Sequence, residues 1–167
     1  MGYINYFQIT ALVLIALIAI HYFSHKRLTN AENRVFVSFL VLGGTYIFLD
    51  MICGTVAEKG CGTNIKMASG IFILYYLSVA LLPYAFFCYV RIITGIQKEK
   101  YKWLKTAWII LPTGMALAVV LNVKSRWLFY FTEDGQLVSG SYHDLLYMYI
   151  VLLGGIISYF TARYGKK

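Results

Sequence analysis

The chain has 167 residues, 60% of them hydrophobic and 17% aromatic but only 13% charged, and its formal net charge is +8. A soluble domain has nearer half its residues apolar and a quarter charged, and a chain this short has too little interior to hide the surplus. A water-soluble enzyme does not fit, nor does a disordered tail, nor, with three cysteines, a disulfide scaffold.

The composition predicts an all-α integral membrane protein, a single domain over residues 1–167 whose partner is the lipid bilayer. A helix needs about 20 apolar residues to cross a hydrocarbon core about 30 Å thick. Five stretches meet that length, at about 4–23, 35–54, 67–94, 103–123 and 145–164. The first lacks a basic start and a clear small-residue cleavage site, which makes it a retained helix and not a removed signal peptide.

Lysine and arginine set the expected orientation. Eleven of the fifteen fall in the first link (Lys26, Arg27, Arg34), around the third (Arg91, Lys98, Lys100, Lys102, Lys105) and in the tail (Arg163, Lys166, Lys167). The other links hold only Lys59, Lys66, Lys124 and Arg126, alongside most of the acids. The positive-inside rule then puts the amino terminus outside and the carboxyl terminus in the cytoplasm of a multi-pass plasma-membrane protein. Basic residues clustered between apolar runs, with no basic stripe carrying accessible aromatics, give no nucleic-acid surface.

Asp50 is the outstanding polar residue. It lies about 15 residues into the second stretch, near 22 Å from the inner boundary at about 1.5 Å per residue, so it belongs to the outer part of the core. Ionisable residues in a span face the bundle or a wet cavity. Tyr46 is one turn earlier on the same face, and Asn122 reaches similar depth on the fourth helix. Two readings stay open: a carboxylate satisfied by a tyrosine or amide, and the lining of an outward pocket for a ligand or cation.

The second link, about 55–66, reads as a polar, glycine-rich surface loop. Cys53 and Cys61 flank its start on the oxidising side, where a disulfide would tie the loop to the second helix. Pro83 and Pro112 interrupt the third and fourth spans, and each frees a backbone carbonyl that a neighbour or water must satisfy. Gly43-Gly44, Gly114 with Ala118, and Gly154 with Ser158 are expected points of close helix approach.

The fourth link differs. Trp127, Phe129, Phe131 and Leu137 flank Glu133-Asp134-Gly135, and Asp-Gly between such runs predicts a β-hairpin because glycine tolerates positive φ. Its aromatic side should turn toward helix ends or headgroups on the outer face. His21 and His25 share one helix face at the inner end, but His143 lies on the other side of the bilayer, so neither a bis-histidine haem nor a metal or other cofactor is expected. No nucleophile elbow, phosphate loop, His-Glu-x-x-His or Cys-x-x-Cys occurs, and the chain is not expected to be an enzyme.

Phe48-Leu49-Asp50-Met51-Ile52 near the outer end of helix two, the long proline-containing third helix, and Phe129-Tyr130-Phe131-Thr132-Glu133-Asp134-Gly135 followed by Gly140 and Tyr142 together resemble the amino-terminal multi-helix sensor region of bacterial membrane diguanylate cyclases (GGDEF) and histidine kinases. That family shows an outer aromatic-acidic-glycine hairpin within seven spans; here Ser139 stands where arginine is usual, Ser141 where proline is usual, and there are five spans. The resemblance implies a sensory input module for signal transduction, with a cytoplasmic output domain or partner expected beyond the basic end at Arg163-Tyr164-Gly165-Lys166-Lys167, and homodimers because such outputs work in pairs. The ligand candidates are then Asp50, Tyr46, Asn122, Trp127, Phe129, Phe131, Asp134 and Gly135. The alternatives are a small transporter or carrier with an outward pocket around Asp50, and an assembly protein that binds partner helices.

Overall fold

The computed structural model describes residues 5–24, 31–60, 64–93 and 102–164. They form helices α1 (Asn5–Phe23), α2 (Ala31–Lys59), α3 (Ile65–Ile93) and α4 (Lys102–Ser125), a hairpin of β1 (Phe129–Phe131) and β2 (Leu137–Ser139), and α5 (Asp144–Tyr164). Four helices, α1, α2, α3 and α5, are long and apolar enough to cross a membrane, whereas the apolar stretch described in α4, Ile109–Ser125, is shorter. The helical form follows from composition: a backbone in hydrocarbon must satisfy its own N–H and C=O groups. Hydroxyls inside these helices are hidden by the same means, with Thr45, Thr55, Ser78 and Thr161 each donating to the carbonyl four residues earlier.

α3 is the central helix, packed against α2, α4, α5 and β1, while α1 packs on α2. Side-chain pairs fix the directions. Gln8 meets Asp50 near one end and Tyr22 meets Phe36 near the other, so α1 and α2 are antiparallel. Tyr46 on Tyr75 and Phe39 on Phe86 make α2 and α3 antiparallel. Tyr76 beside His143 and Ala80 beside Tyr149 set α5 parallel to α3. The end of α2 and the starts of α1, α3 and α5 therefore share one end of the bundle with the hairpin, the arrangement that alternating spans demand.

The core has two parts. Away from the hairpin, Ala80, Phe87 and Val90 of α3 pack with Tyr149, Leu153 and Ile157 of α5. Toward the hairpin, Phe72, Tyr76 and Val79 of α3 pack with Cys53, Val119, Leu128, Phe129 and Leu146. Outside these clusters the helices present apolar side chains such as Leu14, Leu17, Val41 and Val151 at their exposed surfaces. Such a surface suits hydrocarbon and not water.

Several expectations need correction. α2 does not stop near residue 54 but runs to Lys59, where Gly60 at φ 75° supplies the left-handed residue that ends a helix. The second link is accordingly shorter, because α3 begins at Ile65 with Asn64 in the capping position, its carbonyl accepting from the Ala68 N–H at 3.0 Å. Gly43 and Gly44 do approach Ile15 of α1, at the distance of ordinary contact. Gly114 and Gly154, in contrast, point at open space and bring no described helices together.

Candidate functional site

The residues singled out by sequence fall into two groups at the hairpin end. The first surrounds Asp50. Gln8 Nε2, from the first turn of α1, donates to Asp50 Oδ2 at 2.9 Å. Tyr75, from α3, lies close to both Asp50 and Tyr46, and the Tyr46 and Tyr75 rings stack with centroids 5.7 Å apart. A carboxylate, an amide and two phenols from three helices thus converge within one membrane-length bundle. Tyr46 was legible in the sequence because it sits one turn before Asp50. Gln8 was not, although a polar amide at the start of an apolar span is itself a signal for a partner.

Asn122 does not join this group. It is buried and gives its amide to the base of the hairpin: Nδ2 donates to the Phe129 carbonyl at 2.9 Å, and Oδ1 accepts from the Leu128 N–H at 2.7 Å and from the Phe129 N–H at 3.4 Å. The expectation that Asn122 lines a pocket with Asp50 is replaced by a structural role. The chain leaves α4 at Ser125 and turns through Arg126 at φ 56°, and the Asn122 amide in the last turn of the helix satisfies backbone groups just beyond it.

The hairpin forms the second group. Phe129 pairs with Ser139, Tyr130 with Val138 and Phe131 with Leu137. The Thr132 N–H then donates to the Gln136 carbonyl and the Gly135 N–H to the Thr132 carbonyl, each at 2.9 Å. This leaves Glu133-Asp134-Gly135 as a three-residue loop with Gly135 at φ 75°, the left-handed position such loops require. Asp134 is exposed at the tip, while Gly135 is buried, with its carbonyl 3.5 Å from where a Cβ on Gly60 would stand. The hairpin tip therefore rests on the end of α2.

Alternation along β1 turns Phe129 and Phe131 onto α3. Phe129 stacks on Tyr76 at 5.0 Å and meets Phe72 at 5.5 Å, while Phe131 stands edge-on to Phe72 at 5.3 Å. Phe129 is only 3% exposed. The expected aromatic face is thus directed at a helix of the bundle. Trp127 is half exposed, edge-on to Tyr142 at 5.9 Å, and its carbonyl accepts from the Tyr142 N–H. Gly140 passes so close to the chain at Arg126 and Trp127 that a Cβ would fall 2.1 Å from the Trp127 carbonyl oxygen.

His143, just before α5, closes the arrangement. Its Nδ1 lies 3.2 Å from the Leu128 carbonyl and 3.5 Å from the Tyr76 hydroxyl. Because a carbonyl only accepts, the shorter contact puts the proton on Nδ1. Tyr75 and Tyr76 meet edge-on at 5.3 Å, so the Asp50 group and the hairpin are joined by contiguous aromatic contacts. Cys53 is buried in this same cluster and has no disulfide partner among the described residues; Cys61, its expected partner, and His25 lie outside them. Set beside family models, curated proteins and solved structures, the chain matches none of them.

Proposed function

We propose that the chain is a membrane-embedded sensory input module of five spans, with the hairpin end outside and the carboxyl-terminal end of α5 delivering a signal to a cytoplasmic output domain or partner. The observation that carries this reading is the seating of the hairpin. It is bonded to α4 through Asn122, packed on the central helix through Phe129 and Phe131, and bonded to the start of α5 through His143. An event that moves this cap changes contacts on the helix that leads inward. Such a device works only if the input stabilises one packing of the bundle over another, by a few kcal/mol. Orientation rests on the lysine and arginine bias, and the resemblance to bacterial sensor regions supports the same assignment.

The reading is tested in lipid nanodiscs with spin labels at Ser38→Cys and Ala162→Cys, near the ends of α2 and α5 remote from the hairpin, in a background lacking the native cysteines. Replacing Phe129 and Phe131 by alanine is expected to shift the distance between the labels by about 1–2 Å, the scale of helix shifts in signalling bundles. An unchanged distribution in a correctly inserted variant would remove the cap from signal transfer.

The alternative, a small carrier, draws on the Asp50 group, a carboxylate held in the apolar part of the bundle. It requires solute-dependent flux in liposomes that disappears in Asp50→Asn.

A further inference from the structure

We infer that the Asp50 group is a binding site for one monovalent cation. This goes beyond the signalling assignment, since such a site would serve a sensor or a carrier. Among the described residues, Gln8 donates to Asp50 and Tyr75 lies close to it, and neither carries a positive charge. An ionised carboxylate with neutral partners inside a span is costly, and a bound cation offsets that cost.

The second observation comes from the other end of the same amide. Gln8 Oε1 is buried and has no hydrogen-bond partner among the described residues. The amide cannot simply be turned round, because an oxygen facing Asp50 Oδ2 would be repelled where the N–H₂ now donates. A carboxylate and an unpaired amide oxygen therefore belong to one hydrogen-bonded pair, with Tyr46 one turn before Asp50 and stacked on Tyr75. This is a set of hard oxygen acceptors lacking a positive group.

Charge and ligand type narrow the occupant. A single carboxylate balances a single positive charge, and no group of three or more histidine, cysteine, aspartate or glutamate side chains occurs among the described residues, which disfavours a divalent or transition metal. An alkali ion would take the oxygens directly. A primary ammonium would donate to the same oxygens and lie against the stacked Tyr46 and Tyr75 rings.

The test uses the whole chain in nanodiscs at constant ionic strength, with N-methyl-D-glucamine chloride replaced stepwise by sodium, potassium or methylammonium chloride while thermal unfolding is followed by tryptophan fluorescence. A rise in Tm with at least one of these cations, absent in Asp50→Asn and needing about tenfold more cation in Gln8→Leu, supports the site; which salt acts separates an alkali ion from an ammonium. No rise with any of them, or an equal rise in Asp50→Asn, overturns it. Should Asp50→Asn not fold, binding of radiolabelled sodium and methylammonium to the wild type decides: saturation near one per chain, displaced by unlabelled salt, supports the site, and no saturable binding overturns it.

Discussion

The Tyr76 ring of α3 and the Phe129 ring of β1 stack with centroids 5.0 Å apart and planes 16° from parallel. This contact seats the hairpin on the central helix. Phe129 also meets Phe72 and is almost fully buried, whereas Phe131 touches Phe72 from a half-buried position. Phe129→Ala is therefore expected to cost about 3–5 kcal/mol and Phe131→Ala clearly less. Unfolding by denaturant in detergent micelles measures both, and amide exchange across 127–143 shows whether the hairpin loosens first.

Asn122→Ala should be among the most damaging polar substitutions. It leaves the Leu128 N–H and the Phe129 carbonyl buried without the partner they now have. At about 1–3 kcal/mol for each abandoned group, a loss near 3 kcal/mol is expected. Asn122→Asp keeps an acceptor for Leu128 but sets a buried carboxylate oxygen against the Phe129 carbonyl, so it should cost at least as much as alanine in the same unfolding measurement.

Two glycine substitutions separate a required glycine from a permissive one. Gly140→Ala drives a methyl into the Trp127 carbonyl and must break the Gly140 N–H to Leu128 bond that holds the hairpin base; a loss above about 4 kcal/mol is expected. Gly43→Ala places its methyl in ordinary contact with Ile15 and Leu82, and the better helix propensity of alanine should leave stability within about 1 kcal/mol of wild type. Thermal unfolding of the pair in one lipid composition reads the contrast.

On the remote side of the cap, the Tyr149 hydroxyl of α5 donates to the Ala80 carbonyl of α3 at 2.7 Å, in the turn before Pro83. Proline withholds the N–H that would reach the Val79 carbonyl, and Tyr149 supplies a donor to its neighbour. Tyr149→Phe keeps the packing and removes that bond. Interhelical hydrogen bonds in membranes contribute on average about 0.6 kcal/mol and up to about 1.7, so a loss in that range is expected on unfolding in detergent.

How much of this was legible in the sequence depends on whether the cause was local. Apolar runs gave the helices to within a few residues, and Asp134-Gly135 between aromatic residues gave the hairpin with its left-handed glycine, because both follow from neighbours along the chain. The apolar run that marks α2 in the sequence stops near residue 54, whereas the helix continues through polar residues to Lys59 and ends at Gly60. Asp50 and Tyr46 were found as one helix face. Gln8, 42 residues from Asp50, depended on how α1 is rotated against α2, which apolar sequence does not encode in lipid. Asn122 meets the hairpin base and not Asp50, since the path of the chain beyond Ser125 decides what its amide meets.

The account depends most on where the two ends of α5 lie. With single cysteines at Asp134→Cys in the hairpin tip and Ala162→Cys near the far end of α5, each in a background lacking the native cysteines, a membrane-impermeant maleimide applied to intact cells provides the measurement. Labelling of position 134 in intact cells, and of 162 only after permeabilisation, is the expected result. Labelling of 162 from outside, or protection of 134 until the membrane is opened, would contradict it.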